Sequence, residues 1–146
     1  MTNTAAKRLN PYLSNLVVLH AKFHDLHWNV KGKMFVQIHQ YTEARYDDFA
    51  AKFDEVAEKI IMQGEKPVSM LKEYMELATV KELSKKDYTD AEVLEEVYND
   101  TKLLKDQALE LRKSFAEEDN FSVVTMLEDH IVSYEKELWF LGSMMK

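Results

Sequence analysis

Cysteine is absent from the 146-residue chain, and glycine and proline are scarce, with 3 and 2 residues. Without cysteine the chain has neither a disulfide framework nor a thiolate metal site, so it needs no oxidising compartment. Scarce glycine and proline, beside abundant leucine, glutamate, lysine, alanine and methionine, are typical of a helical chain with little room for strands. The composition therefore predicts an all-α protein.

Long hydrophobic runs and an excess of positive charge are also missing. No segment approaches the roughly 20 apolar residues that a membrane span requires, and the first residues lack the apolar core of a signal peptide. We therefore expect a soluble cytoplasmic protein with no membrane partner. The 19 Lys and Arg residues against 26 Asp and Glu give a net charge of -7, so cations are favoured as partners over phosphate backbones.

Apolar residues at helical spacing predict four long helices. The first stripe ends at Lys31 and Gly32, and the second runs from about Phe35 to Gly64, beyond which Pro67 prevents continuation. A short amphipathic segment, residues 68–78, lies in the following connection. These boundaries predict one long helical hairpin followed by a short helix.

The second half of the chain predicts another hairpin. Thr89 and Glu92 match a capping box that starts the third long helix, which ends near Glu117, and the fourth begins near Asn120 or Ser122 and continues almost to the end. With 46% apolar residues, the chain suits one compact domain, which we assign to residues 1–146. The pattern predicts a four-helix bundle with a short helix in the long crossover between helices two and three.

Candidate metal ligands form two pairs on the second long helix. The first pair, His39 and Glu43, has i,i+4 spacing, and so has the second pair, Asp54 and Glu58. Glu43 and Asp54 are separated by nearly three turns, so both pairs point to one side but lie about 16 Å apart along the axis. Metal–ligand bonds are only about 2 Å long, so the two pairs of one chain cannot hold a common ion.

A second copy of the helix removes this difficulty. Suppose that two copies of the helix cross antiparallel about a two-fold axis centred between Asp48 and Phe49. Residues that lie equally far before and after this centre then face each other across the two chains. The first pair of one chain therefore meets the second pair of the other. Ala50 and Ala51 beside the centre allow the close approach that an isologous interface needs. His27, at the end of the first helix, supplies a further nitrogen.

Two imidazoles and three carboxylates without sulfur suit iron or zinc, and the carboxylate share favours iron chemistry. The alternative is that these acids and histidines form a solvated helix face, against which the apolar Val36, Ala50 and Ile61 on the same face argue. His20 and His24 share the face of His27. For these two we favour hydrogen-bonded interior histidines over a three-histidine ladder. His130 is expected at the surface or at an interface.

The stretches HDLHWNVKG (residues 24–32), DEVAEKI (54–60) and EKELWFL (135–141), with the spacing from His27 to His39, resemble the Dps family, the ferritin-like mini-cages of starved bacteria. The resemblance covers nearly the whole chain. It implies a ferritin-like fold and a homododecamer that oxidises Fe(II), preferably with hydrogen peroxide, and stores ferric mineral. It also implies ferroxidase sites between subunits, whose ligands we assign to His27, His39, Glu43, Asp54 and Glu58.

Several positions depart from the family pattern or leave alternatives open. The family usually has Asp where this chain has Glu43, and the longer arm keeps the charge while changing the metal spacing. Thr125 stands where the family commonly carries a pore Asp, which leaves the acidic residues around it as the candidates for guiding iron inward. Those residues are Glu117, Glu118, Asp119, Glu128 and Asp129. Trp28 and Tyr41 suit either the handling of stray electrons or plain packing.

DNA binding is a second function to weigh, since members of the family that bind DNA use a mobile Lys-rich tail. This chain offers Lys7 and Arg8 near its start and no tail after Lys146, so we expect no binding at physiological salt. A third interpretation is a structural helical shell with a vestigial site. Zinc is a candidate substitute for iron in either case.

Overall fold

The computed structural model describes residues 4–146. It is a bundle of four long helices, as predicted, with a short helix in the crossover. The helices are α1 (Ala5–Asn29), α2 (Phe35–Met62), α3 (Leu71–Leu77), α4 (Asp90–Ala116) and α5 (Phe121–Met144). The hairpins α1–α2 and α4–α5 each pack along their length, and α3 packs against α1. No helix of this part of the chain is long and apolar enough to cross a membrane.

Two short strands were not expected from the composition. β1 (Val30–Lys31) and β2 (Tyr88–Thr89) pair in parallel, with Val30 opposite Tyr88. The pairing ties the α1–α2 turn to the end of the crossover, and α1 therefore ends at Asn29, two residues before the predicted limit. Periodicity cannot detect a two-residue strand, because its partner lies far away in the chain.

Gly32 and Asp90 complete this junction. The Asp90 carboxylate accepts a hydrogen bond from the backbone N–H of Met34, 3.1 Å away, at the start of α2. Gly32 has a φ of 153°, and a Cβ on it would lie 2.5 Å from Asp90 Oδ2. The close approach of the carboxylate therefore requires a glycine at this position.

The predicted helix starts of the second hairpin are confirmed. Thr89 Oγ1 accepts from the N–H of Glu92 at 3.1 Å, and Glu92 Oε1 accepts from the N–H of Thr89 at 2.9 Å, which is the reciprocal capping box. The Asn120 side chain caps α5 by accepting from the N–H of Val123. These bonds satisfy N–H groups that the helices leave without intrahelical partners.

His130 is buried, so its predicted place at the surface or an interface is wrong. Its Nε2 lies 2.6 Å from Glu55 Oε1 and its Nδ1 lies 2.8 Å from the Tyr12 hydroxyl. The Tyr12 hydroxyl in turn lies 2.5 Å from that of Tyr134. Since Glu55 accepts a hydrogen bond from Nε2–H, the neutral ring has its lone pair on Nδ1. The Tyr12 hydroxyl therefore donates to Nδ1 and accepts from the Tyr134 hydroxyl. Burial is tolerated because both ring nitrogens have partners, which are distant in sequence.

Candidate metal centre

His27 and His39 face each other where α1 and α2 meet at the turn. Their rings are stacked, with centroids 3.6 Å apart and planes inclined by 14°. His27 Nδ1 donates to the backbone carbonyl of His39 at 2.6 Å, and His39 Nδ1 donates to the carbonyl of His27 at 2.9 Å. Each histidine thus fixes the ring of the other through its backbone.

These reciprocal hydrogen bonds decide which nitrogens are available. Because both Nδ1 atoms carry the proton, a neutral ring has its lone pair on Nε2, the atom that can bind a metal. Glu43 Oε1 lies 3.9 Å from His27 Nε2, and the Glu43 side chain is 58% exposed. Two lone pairs and an exposed carboxylate therefore occur together at one end of the α1–α2 hairpin.

Burial lowers the pKa of His27 below its ordinary value of 6.5, although its hydrogen bond to the His39 backbone acts in the opposite direction. Burial also lowers the pKa of His20, and the neighbouring His24 adds to the effect. Both changes favour the neutral ring at pH 7. A neutral imidazole is the form that binds metal ions.

Thr42 supports His27 and was not singled out from the sequence. Its Oγ1 lies 3.2 Å from His27 Nδ1 and donates to the carbonyl of Ile38 at 2.8 Å. His27 Nδ1 therefore has a second acceptor behind it in a buried position. The only sequence signal for this supporting role is that the threonine lies three residues after a candidate ligand on the same helix, and this signal is weak.

Asp54 and Glu58 are exposed on α2, and no ion pair among the described residues involves either side chain. They lie about three to five helical turns from the first pair on the same rigid helix. Within residues 4–146 of one chain, no group of three or more His, Asp and Glu side chains could hold a metal ion. One chain thus carries two separate partial ligand sets.

The apolar side chains beside these ligands are uncovered in one chain. Trp28 is 64% exposed, Val36 58% and Ile61 59%. Ala51, beside the expected two-fold centre, is exposed as well. Exposed apolar residues that accompany candidate ligands along one face are typical of a protein interface.

The other expected residues have different environments. Thr125 is exposed on α5, as are the five acidic residues around it. Tyr41 is fixed by hydrogen bonds with Glu137 and with Arg45, a fully buried guanidinium. His24 donates to the carbonyl of His20 at 2.7 Å, as expected of an interior histidine. Both rings are only half-buried, however, and no hydrogen bond in the described structure involves a ring nitrogen of His20.

Comparison with known proteins agrees with the fold. Residues 6–146 match the ferritin-like domain family. A DNA protection during starvation protein of Helicobacter pylori is 34% identical over 128 residues, covering 88% of this chain and 89% of its own length. The Dps protein of Bacillus brevis superposes with a TM-score of 0.93 at 30% identity, covering 97% of this chain and 95% of its own. The chain belongs to the Dps family of ferritin-like proteins.

A Dps protein of Vibrio cholerae O1 superposes with a TM-score of 0.92 at 26% identity, covering 97% of this chain and 89% of its own. It is described as a member of a broad superfamily of ferritin-like diiron-carboxylate proteins. The resemblance inferred from three short sequence stretches is thereby confirmed at the level of family and fold.

Proposed function

We propose that this protein is a ferroxidase and iron store whose sites lie between two subunits. His27, His39 and Glu43 of one chain bind ferrous iron together with Asp54 and Glu58 of a second chain. Twelve chains form a hollow shell in which the ferric product is stored as mineral. Removal of Fe(II) together with peroxide protects the cell against oxidative damage.

The observation that carries this proposal is the reciprocal pair of hydrogen bonds between His27 and His39. It orients two Nε2 lone pairs beside the exposed Glu43, yet residues 4–146 of a single chain add no further ligand within reach. A carboxylate-rich ligand set from the partner would complete a site suited to iron. The uncovered apolar residues on the same face supply the surface that the two chains would bury.

The residues present fit the chemistry of ferrous oxidation. Three carboxylates offset much of the charge of two ferrous ions, and the fixed imidazoles add neutral nitrogen ligands. Each of two Fe(II) ions gives up one electron to hydrogen peroxide, whose O–O bond breaks, and two protons complete two water molecules. Hydrolysis of the Fe(III) product then yields the oxide mineral. Zinc, which has no redox chemistry, would occupy the same ligands as an inhibitor.

Two alternatives differ from this proposal in what they bind. A DNA-protecting role is consistent with the names of the relatives, but the net charge of -7 opposes contact with phosphate backbones. A structural shell would bind neither DNA nor iron. Anaerobic Fe(II) titration and a gel-shift assay separate the three: tight iron binding supports the ferroxidase, and a shift at physiological salt supports the DNA-binding protein.

The direct test is stopped-flow oxidation of Fe(II) by peroxide and by dioxygen, with wild type, His39→Ala and Gln40→Ala. We expect peroxide to be much the faster oxidant. His39→Ala should slow the reaction at least tenfold, on the order of the loss seen when metal-site ligands or their supports are removed. Gln40→Ala, at the exposed neighbouring position, should leave the rate unchanged.

Equal oxidation rates with peroxide and dioxygen would contradict the predicted preference for peroxide. Oxidation no faster than in buffer would refute the ferroxidase assignment. Light scattering on the same samples should give a particle of about twelve subunits. A stable monomer at micromolar concentration would contradict the inter-subunit site.

A further inference from the structure

His20 and His24 form a pair of imidazoles that the proposed ferroxidase site does not use. They are i,i+4 neighbours on α1, and their ring centroids are 4.8 Å apart. His24 Nδ1 is committed to the carbonyl of His20, so a neutral His24 ring carries its lone pair on Nε2. The ring of His20 makes no hydrogen bond with any described residue. Two half-buried imidazoles thus keep nitrogen lone pairs without partners.

The spacing of the two rings suits a shared metal ion. A metal–nitrogen bond of about 2 Å places each ring centroid about 3 Å from the ion, so two rings on one tetrahedral ion have centroids about 5 Å apart. The observed separation of 4.8 Å is close to this distance. Two histidines four residues apart on one helix face are a known arrangement for binding a divalent cation.

The His20–His24 pair also lies close to the proposed two-fold axis of the dimer. The His20 ring packs edge-on against Tyr46 and Phe53, with centroids 5.9 and 5.7 Å away. These two residues lie on either side of the expected two-fold centre between Asp48 and Phe49. His20 is therefore level with the axis, and His24 is about one helical turn away.

We propose that His20 and His24 of two chains together form a second cation site on the two-fold axis, with up to four imidazole ligands. The site would select a late first-row divalent cation such as Zn²⁺ or Cu²⁺, because it offers imidazole nitrogens where the ferroxidase site offers mainly carboxylates. A cation held there would link α1 of one chain to α1 of its partner and stabilise the dimer. This inference rests on the two-fold dimer of the proposed function.

Cobalt(II) is the probe, because its visible absorption reports tetrahedral nitrogen ligation. Four of the five proposed ferroxidase ligands, His39, Glu43, Asp54 and Glu58, are first replaced with alanine. Cages of this variant should bind about one cobalt per two chains with an intense visible band. Adding His20→Phe, which keeps a ring against Tyr46 and Phe53, should abolish both the band and the binding.

Two controls make the result specific. Gln37→Ala, at an exposed position of α2, should leave cobalt binding unchanged in the same background. His20→Phe in the otherwise unaltered chain should retain rapid Fe(II) oxidation, because none of the five proposed ferroxidase ligands is altered. Loss of that activity would show that His20 acts within the ferroxidase site and would overturn the second site.

Three other outcomes would also overturn the inference. These are an assembled cage that binds no cobalt, binding that survives His20→Phe, and a stoichiometry of one cobalt per chain, which would mean that each pair acts alone. Light scattering on the unaltered chain and on the variants distinguishes the two proposals. Failure of the unaltered chain to assemble refutes the dimer and both sites, whereas an assembled variant cage without cobalt refutes the second site only.

Discussion

Hydrogen bonds decide what each histidine of this protein can do. His27 and His39 use their Nδ1 atoms on backbone carbonyls and keep Nε2 free. His130 uses both ring nitrogens, on Tyr12 and Glu55, and has no lone pair left for a metal. His130 therefore differs in chemistry from His27 and His39 because its hydrogen-bond partners differ.

The buried His130 predicts a pH dependence of stability. Burial lowers its pKa below the ordinary value of 6.5, so the unfolded chain binds a proton at higher pH than the folded chain does. The stabilisation by the neutral ring is complete above about pH 6.5 and is lost as the pH falls through that value. Thermal unfolding of the apoprotein between pH 8 and pH 5 should show this decline.

His130→Gln should make the decline shallower, since one of the groups that take up protons on unfolding is gone. The variant will be less stable at pH 8 because it loses hydrogen bonds and packing, so the comparison concerns the slope against pH and not the absolute stability. Equal slopes for the two proteins would contradict a role for His130.

At the scale of secondary structure, the α1–α2 turn orients the candidate ligands. The β1–β2 pair holds Val30 and Lys31 against the crossover, and Asp90 binds the first turn of α2. This junction fixes where α1 ends and where α2 begins. Because His27 and His39 lie on either side of the turn, their reciprocal hydrogen bonds depend on it.

Gly32→Ala tests this dependence. The new Cβ would lie 2.5 Å from Asp90 Oδ2, so the carboxylate must move and its bond to Met34 is strained. We expect a loss of about 1–3 kcal/mol in the free energy of unfolding and weaker Fe(II) binding. Chemical denaturation and anaerobic Fe(II) titration measure the two effects.

Gly142→Ala is the matched control. Gly142 lies inside α5, and a Cβ on it would meet nothing within 4 Å among the described residues. Alanine should raise helix stability there by up to about 1 kcal/mol and leave Fe(II) binding unchanged. If both glycine variants behaved alike, the turn would have no special role.

At the scale of the whole molecule, a single chain is incomplete. It has one set of candidate ligands at the His27–His39 end of α2 and another toward the far end, and exposed apolar side chains lie along the same face. Twofold pairing would unite the ligand sets and cover the apolar residues in one step. The dimer is therefore the smallest unit in which the proposed chemistry is complete.

Co-assembly of two inactive variants tests this unit. One variant carries His39→Ala and Glu43→Ala, the other Asp54→Ala and Glu58→Ala, and each alone should lose rapid Fe(II) oxidation. In a mixed dimer one site combines both damaged halves and the other combines both intact halves. Random pairing makes about half of the dimers mixed, so roughly a quarter of native activity should return in stopped-flow assays.

Mass spectrometry of co-purified cages is the control for mixing. Cages assembled from separately purified variants without exchange should stay inactive. Mixed cages that remain as inactive as either parent would refute the two-fold ferroxidase site, since no site within one chain can be rescued in this way.

The helices and their starts could be predicted from the sequence, because they depend on neighbours in the chain. Apolar spacing located four long helices, and Thr89 with Glu92 marked a helix start that hydrogen bonds confirm. Helix geometry alone also required that the two ligand pairs belong to different sites or different chains. The Dps resemblance is confirmed, whereas the five ligands and their partners stay a prediction.

Contacts between residues distant in the chain could not be predicted from the sequence, because they depend on the packing of the helices. The β1–β2 pairing, the burial of His130 between Tyr12 and Glu55, and the packing of the His20 ring against Tyr46 and Phe53 depend on which helices pack side by side. Tyr12 and His130 are 118 residues apart in the chain, so no local pattern records their hydrogen bond. The free Nε2 atoms of His27 and His39 depend likewise on carbonyls that α1 and α2 present to each other, because packing brings those groups within hydrogen-bonding distance.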